Sequence, residues 1–222
     1  MGRRSVKTMR VAFLHTAAVH EATFDAIFAE LDGQVELIHR TVPRLLEAAR
    51  KSGLEAVRAE TCEILRSLAE ADAVVCTCST LGPLADEVAT THSQVFRIDR
   101  PLMEAACDAG DHIIVAICLE STEQATLALL MAVAAELGRE ISPRVVLCDA
   151  AWAQFEAGNM QAYADEIAAR VEDDMAEHAQ TDCIVLAQAS MRVAERSLAG
   201  SSVVVLSSPV LAAKRSIEVA RA

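Results

Sequence analysis

The chain has 222 residues, of which 53% are hydrophobic and only 3% aromatic, and it carries a formal net charge of −12. That length supports a large core built from Ala, Val, Leu and Ile, and that composition excludes a disordered chain. The acidity excludes a broad basic surface for nucleic acid, and no apolar run approaches the ~18 residues of a membrane span.

In chain order, Met1 to Arg10 is basic and Val11 to Leu14 apolar, but His15, His20 and Glu21 cut the run too soon for a signal peptide. The start reads as a tail entering a first strand, Val11–His15. A helix follows from His20 to Leu31, ended by Asp32-Gly33. Val35–His39 is a second strand. Pro43–Arg50 and Leu54–Ala71 carry apolar residues at helical spacing, broken at Ser52-Gly53. Asp72-Ala-Val-Val-Cys-Thr-Cys-Ser-Thr80 is a buried strand that ends in small residues, and Gly82-Pro83 opens a helix through Val88. Val95–Ile98 is a short strand, and Pro101 suits the first turn of a helix begun at Asp99.

The pattern then starts again. His112–Ile117 is a strand, and Ser121 or Thr122 is expected to cap a long helix to Leu137, with Gly138 after it. Arg144–Cys148 is a strand, Asn159–His178 an amphipathic helix, and Asp182-Cys-Ile-Val-Leu-Ala-Gln-Ala-Ser190 a second buried strand. A helix from Met191 to Leu198, a strand Ser202–Leu206 and a helix Pro209–Ala222 complete the chain. Asp72 and Asp182 are 110 residues apart (182 − 72), which pairs Cys78 with Gln188 and Thr80 with Ser190. Asp149 follows its strand at the same offset from His39 (149 − 39). This reads as an internal duplication. The expected fold is α/β: two similar lobes, each a parallel sheet flanked by helices, with a cleft between them. Residues 1–98 with 208–222 form the first lobe, carrying Cys78, and residues 99–207 the second, carrying Gln188.

The seven cysteines are odd in number and irregularly spaced, with no Cys-x-x-Cys pair, as in a reducing cytoplasm. Cys76-x-Cys78 is too tight for a structural zinc site, so no metal is expected. Cys76 reads as core filler, Cys62, Cys107 and Cys183 as structural, and Cys118 and Cys148 as strand-end residues that pack. Cys78 stands where ligands sit in open α/β sheets, beyond the carboxyl end of a strand. There, backbone N–H groups and a helix start can lower a thiol pKa from its usual ~8.5. The thiolate would serve as a base at carbon or as a nucleophile. Read as packing, Cys78 is only small and buried, and the residues by themselves leave both readings open.

Cys78-Ser-Thr80 after Asp72-Ala-Val-Val resembles the first thiol motif of the aspartate/glutamate racemase family, which includes hydantoin racemase, maleate isomerase and arylmalonate decarboxylase. The His15-Thr16 turn, the Ile98-Asp-Arg-Pro101 helix start, and Asp182–Ser190 in the place of the second thiol motif carry the same resemblance over essentially the whole chain. It implies a cofactor-independent enzyme with two thiols flanking its substrate, one removing a proton and the other donating one. The chain departs at the second position, which is Gln188 followed by Ala189, and a carboxamide neither takes nor gives a proton at carbon.

One-thiol chemistry on a small carboxylate, by isomerisation or decarboxylation, is therefore expected of Cys78. Two alternatives stand beside it: a small-acid-binding or regulatory protein that has lost turnover, and a racemase with a non-thiol second acid/base. Asp149 is the candidate for that second group, while His15 and His39 suit orientation of Cys78. Thr16, Ser79, Thr80, Ser121, Thr122 and Ser190 are the expected anion-holding residues. Arg97 and Arg100 read as surface arginines, and Trp152 and Phe155 as packing. The expected partner is a small carboxylate, with no cofactor, nucleic acid or membrane, and with room for a homo-oligomer.

Overall fold

The computed structural model describes residues 8–31, 35–178 and 180–222. Asp32-Gly33, expected to end the first helix, lies outside them. The first half holds β1 (Met9–His15), α1 (Val19–Leu31), β2 (Val35–Thr41), α2 (Pro43–Ser52), α3 (Arg58–Leu68), β3 (Ala73–Cys76), α4 (Gly82–Ala89) and β4 (Val95–Arg97). The second holds α5 (Arg100–Ala109), β5 (His112–Ile117), α6 (Glu123–Leu137), β6 (Ser142–Leu147), α7 (Asp149–Glu156), α8 (Met160–Glu177), β7 (Cys183–Leu186), α9 (Ala194–Ser197), β8 (Val204–Ser207) and α10 (Ser208–Arg221). Contacts divide the chain into two compact units, one running to Ile98 and including Ala212–Ala222, the other Asp99–Leu211. No described helix is long and apolar enough to cross a membrane.

Each unit has a four-stranded parallel sheet, in the order β2-β1-β3-β4 and β6-β5-β7-β8. The central strands are buried on both faces, which is why their sequences are apolar runs rather than alternations. Successive side chains still part to opposite faces. In the first unit Ala12, Leu14, Val74 and Cys76 pack with Leu45, Cys62, Leu65 and Leu84 of α2, α3 and α4. Phe13 turns the other way, its ring 4.5 Å from that of Phe24 on α1. In the second unit Ile114, Ala116, Ile184 and Leu186 meet Tyr163 and Ile167 of α8, whereas Ile113, Val115 and Val185 meet Leu102, Leu130 and Val133 of α5 and α6.

The duplication extends to single hydrogen bonds. Asp72 Oδ2 accepts the Arg10 N–H at 2.9 Å, and Asp182 Oδ2 accepts the His112 N–H at 2.8 Å. Leu14 pairs with Cys76 as Ala116 pairs with Leu186, and Val74 with Val95 as Ile184 with Val205. The offset is not uniform, however. It is 110 for the third and fourth strands (184 − 74), 102 for the first (112 − 10) and 106 for the second (142 − 36). The counterpart of His39 is therefore Val145 (39 + 106), not Asp149, because the connecting segments differ in length.

Several local expectations change. Leu54–Val57 is a 3-10 turn and only Arg58–Leu68 is α-helical. Met191–Leu198 likewise splits into a 3-10 turn, Ala189–Val193, and the short α9. Cys148 is followed directly by α7, which the sequence reading missed. Thr122 stands at the N-cap position of α6 as expected, but it makes no side-chain capping bond: it ends a 3-10 turn that also holds Ser121, and its hydroxyl donates to the Leu119 carbonyl at 2.7 Å.

Candidate functional site

β3 stops at Cys76, and Thr77 still donates its N–H to the Leu14 carbonyl at 3.0 Å. Cys78 is extended (φ −107°, ψ 111°) and leads into a 3-10 turn, Ser79–Leu81, before α4 begins at Gly82. Its carbonyl accepts the Leu81 N–H at 3.0 Å, which fixes the turn. Cys78 is 6% exposed and packs with Leu14, Cys76 and Leu81, and among the described residues its thiol has no hydrogen-bonding partner. Thr16, the first residue past β1, is buried, and its N–H has no acceptor among the described residues. Ser79 and Thr80 are half-buried.

Arg97 holds this turn from behind. It is buried rather than on the surface, ion-pairs with Asp86 at 3.0 Å and reaches the Ser79 carbonyl at 3.5 Å. A Cβ on Gly82 would lie 2.5 Å from the Arg97 guanidinium carbon, so α4 opens on a glycine to let that group through.

His15 and His39 lie on the Phe13 face of the sheet. His15 Nδ1 is 2.8 Å from Thr77 Oγ1, His15 Nε2 is 2.9 Å from His39 Nδ1, and His39 Nε2 is 3.2 Å from Asp25 Oδ1. Their ring nitrogens are thus spent on one another, on Thr77 and on Asp25, not on Cys78. Burial, and next to it His20 and His39, push the His15 pKa down to about 3, so its imidazole is neutral. His20 is also lowered by burial.

In the second unit Gln188 occupies the place of Cys78 and Cys118 that of Thr16. The Cys118 N–H donates to Gln188 Oε1 at 2.6 Å, the Cys118 thiol faces the Tyr163 hydroxyl at 3.5 Å, and that hydroxyl is 3.0 Å from Ser190 Oγ. Burial raises the Cys118 thiol to about 11 and Cys148 to about 12, and also raises Tyr163. These groups stay protonated near neutrality. Ala189 begins the 3-10 turn that follows Gln188. Asp149 is exposed at the start of α7, where its carboxylate accepts the Ala150 N–H at 3.0 Å. Ser121 is exposed and Thr122 half-buried beyond β5.

The structure therefore gathers His15, Thr16, His39, Cys78, Ser79 and Thr80 at the carboxyl end of one sheet. Cys118, Ser121, Thr122, Asp149, Gln188, Ala189 and Ser190 lie at the carboxyl end of the other. Thr77, Asp25, Tyr163 and the buried Arg97 were not foreseen. Tyr163 was the most findable, as the one tyrosine of the chain on the apolar stripe of α8. Trp152 and Phe155 pack against the second core, their ring centroids 4.8 Å apart.

No family model matches the sequence, and no curated protein is significantly similar to it. Solved structures are. The aspartate racemase of Picrophilus torridus superposes over 96% of this chain and 94% of its own with a TM-score of 0.72 at 14% identity. A glutamate racemase from Thermus thermophilus, in complex with beta-chloro-D-alanine, covers 95% of this chain and 80% of its own (TM-score 0.68, 15% identity). A glycine-to-cysteine mutant of arylmalonate decarboxylase, in its sulfate-associated form, covers 96% and 93% (TM-score 0.61, 14% identity). The chain has a duplicated parallel α/β fold. More particularly, its fold is the one seen in these aspartate and glutamate racemase structures.

Proposed function

We propose that this chain is a cofactor-independent racemase-type enzyme that isomerises or decarboxylates a small carboxylate, with Cys78 as its single catalytic thiol. The observation that carries this reading is the position of Cys78, two residues past β3 and in front of a backbone turn held by Arg97. Structural likeness to two racemases and to arylmalonate decarboxylase supports these reaction classes. Moving a proton at the carbon beside a carboxylate takes one group that exchanges a proton and donors for the developing oxyanion. Cys78 supplies the first, and the Thr16 N–H, which has no acceptor among the described residues, supplies the second with the Ser79 and Thr80 hydroxyls. Gln188 supplies no exchangeable proton at carbon, which disfavours two-thiol racemisation. Racemisation would need Asp149 as the second acid/base.

A second reading, a small-acid-binding or regulatory protein without turnover, is favoured by one observation: the Gln188 carboxamide is fixed by the Cys118 N–H. A panel of small mono- and dicarboxylates, screened for solvent-deuterium incorporation and carbon dioxide release, separates the two. Turnover that disappears in Cys78→Ala supports the enzyme. Tight binding without turnover, unaffected by thiol alkylation, supports the second reading.

A further inference from the structure

Cys118 sets the direction of two hydrogen-bond chains at the carboxyl ends of β5 and β7. Its backbone N–H donates to the Gln188 side chain at 2.6 Å. A backbone N–H meets only an acceptor, so the carboxamide atom facing it is oxygen and the Nε2 amino group is turned away. Among the described residues that amino group has no acceptor.

The second chain starts at the thiol. The Cys118 S–H donates to the Tyr163 oxygen. Either oxygen of the Tyr163–Ser190 pair could donate, and we assign the Tyr163 hydrogen to Ser190 Oγ, 3.0 Å away, because the buried Tyr163 hydroxyl would otherwise have no acceptor oxygen. The Ser190 hydrogen is then left over, again with no acceptor among the described residues. Burial holds both Cys118 and Tyr163 in their protonated forms, so this polarity persists at neutral pH. Tyr163 is fully buried, whereas Gln188 and Ser190 are half-buried.

We propose that the Gln188 amino group and the Ser190 hydroxyl form a two-donor site for one carboxylate of a small acid, aimed by Cys118 and Tyr163. The donors stand two residues apart in a single loop, and a carboxylate offers two acceptor oxygens and no hydrogen. The position that the duplication pairs with Cys78 has thus become a grip on a small carboxylate. The identity of the ligand as a small carboxylate rests on the proposed function above. In this site Gln188 and Ser190 bind, while Cys118 and Tyr163 are positioning residues.

The test is a titration of the full chain with sodium malonate, followed by 15N–1H spectra. The Gln188 side-chain amino resonances of the native protein should shift saturably. In Gln188→Glu one carboxylate oxygen still accepts the Cys118 N–H, but the outward atom becomes a charged acceptor. Malonate affinity should then fall about ten-fold or more, the scale of a lost hydrogen bond to a charged group, with the circular dichroism unchanged. Ser190→Ala removes the other donor and should weaken malonate several-fold. Equal affinity in native and Gln188→Glu protein, or no saturable shift of the native Gln188 resonances, overturns the donor pair. The thiol reading fails separately: it falls if carboxylate turnover is the same in native and Cys78→Ala protein, whatever malonate does at Gln188.

Discussion

His15 Nδ1 lies 2.8 Å from Thr77 Oγ1, tying the end of β1 to the residue beside the candidate thiol. The same imidazole is hydrogen-bonded to His39, which reaches Asp25 on α1, so one relay clamps three strand ends and a helix. The clamp has a pH dependence whose sign follows from His15. Its pKa is lowered in the folded state from 6.5 to about 3, so the unfolded chain binds the proton more tightly. The stabilisation is fully present above pH about 6.5 and is lost as pH falls towards about 3. Urea unfolding of the native protein should lose on the order of a few kcal/mol across that window. His15→Gln should flatten the part of the curve that His15 contributes.

Gly82 and Arg97 are coupled by space. Gly82→Ala would drive a methyl to within 2.5 Å of the guanidinium carbon. Arg97 would have to leave Asp86 and the Ser79 carbonyl, so the variant should lose about 1–3 kcal/mol, the usual cost of overpacking. Once Arg97 is shortened by Arg97→Ala, adding Gly82→Ala should cost much less. A double-mutant cycle in urea reads this coupling directly.

The cysteines should sort by environment. Burial raises Cys118 to about 11 and both Cys148 and Cys183 to about 12, so thiolate is scarce in all three at pH 8. In native protein treated briefly with iodoacetamide, peptide mapping should find these three unmodified and all of them modified after denaturation. Native labelling of Cys118 comparable to the denatured control would contradict the buried Cys118–Tyr163 pair.

Much of this was legible in the residues, and the exceptions have physical causes. β3 and β7 announced themselves as short apolar runs behind an aspartate, because both faces are buried and the carboxylate clamps the neighbouring strand. The pairing of Cys78 with Gln188 also emerged, since the third and fourth strands keep one offset. Asp149 was matched to His39 wrongly because insertions and deletions between strands carry no periodic signal. α7 was overlooked as a run of only eight residues directly after a strand. The relay was unreadable because His15 meets partners 24 and 62 positions away. Arg97 looked like a surface arginine because charge suggests exposure, and only the fold shows Gly82 making room for it.

The most direct measurement is the rate of solvent-deuterium incorporation beside the carboxylate of the best substrate in the panel, for native and Cys78→Ala protein. A proton-transferring thiol predicts a fall of about a hundred-fold or more in Cys78→Ala, with an unchanged thermal midpoint. Incorporation at the native rate in Cys78→Ala would contradict the account.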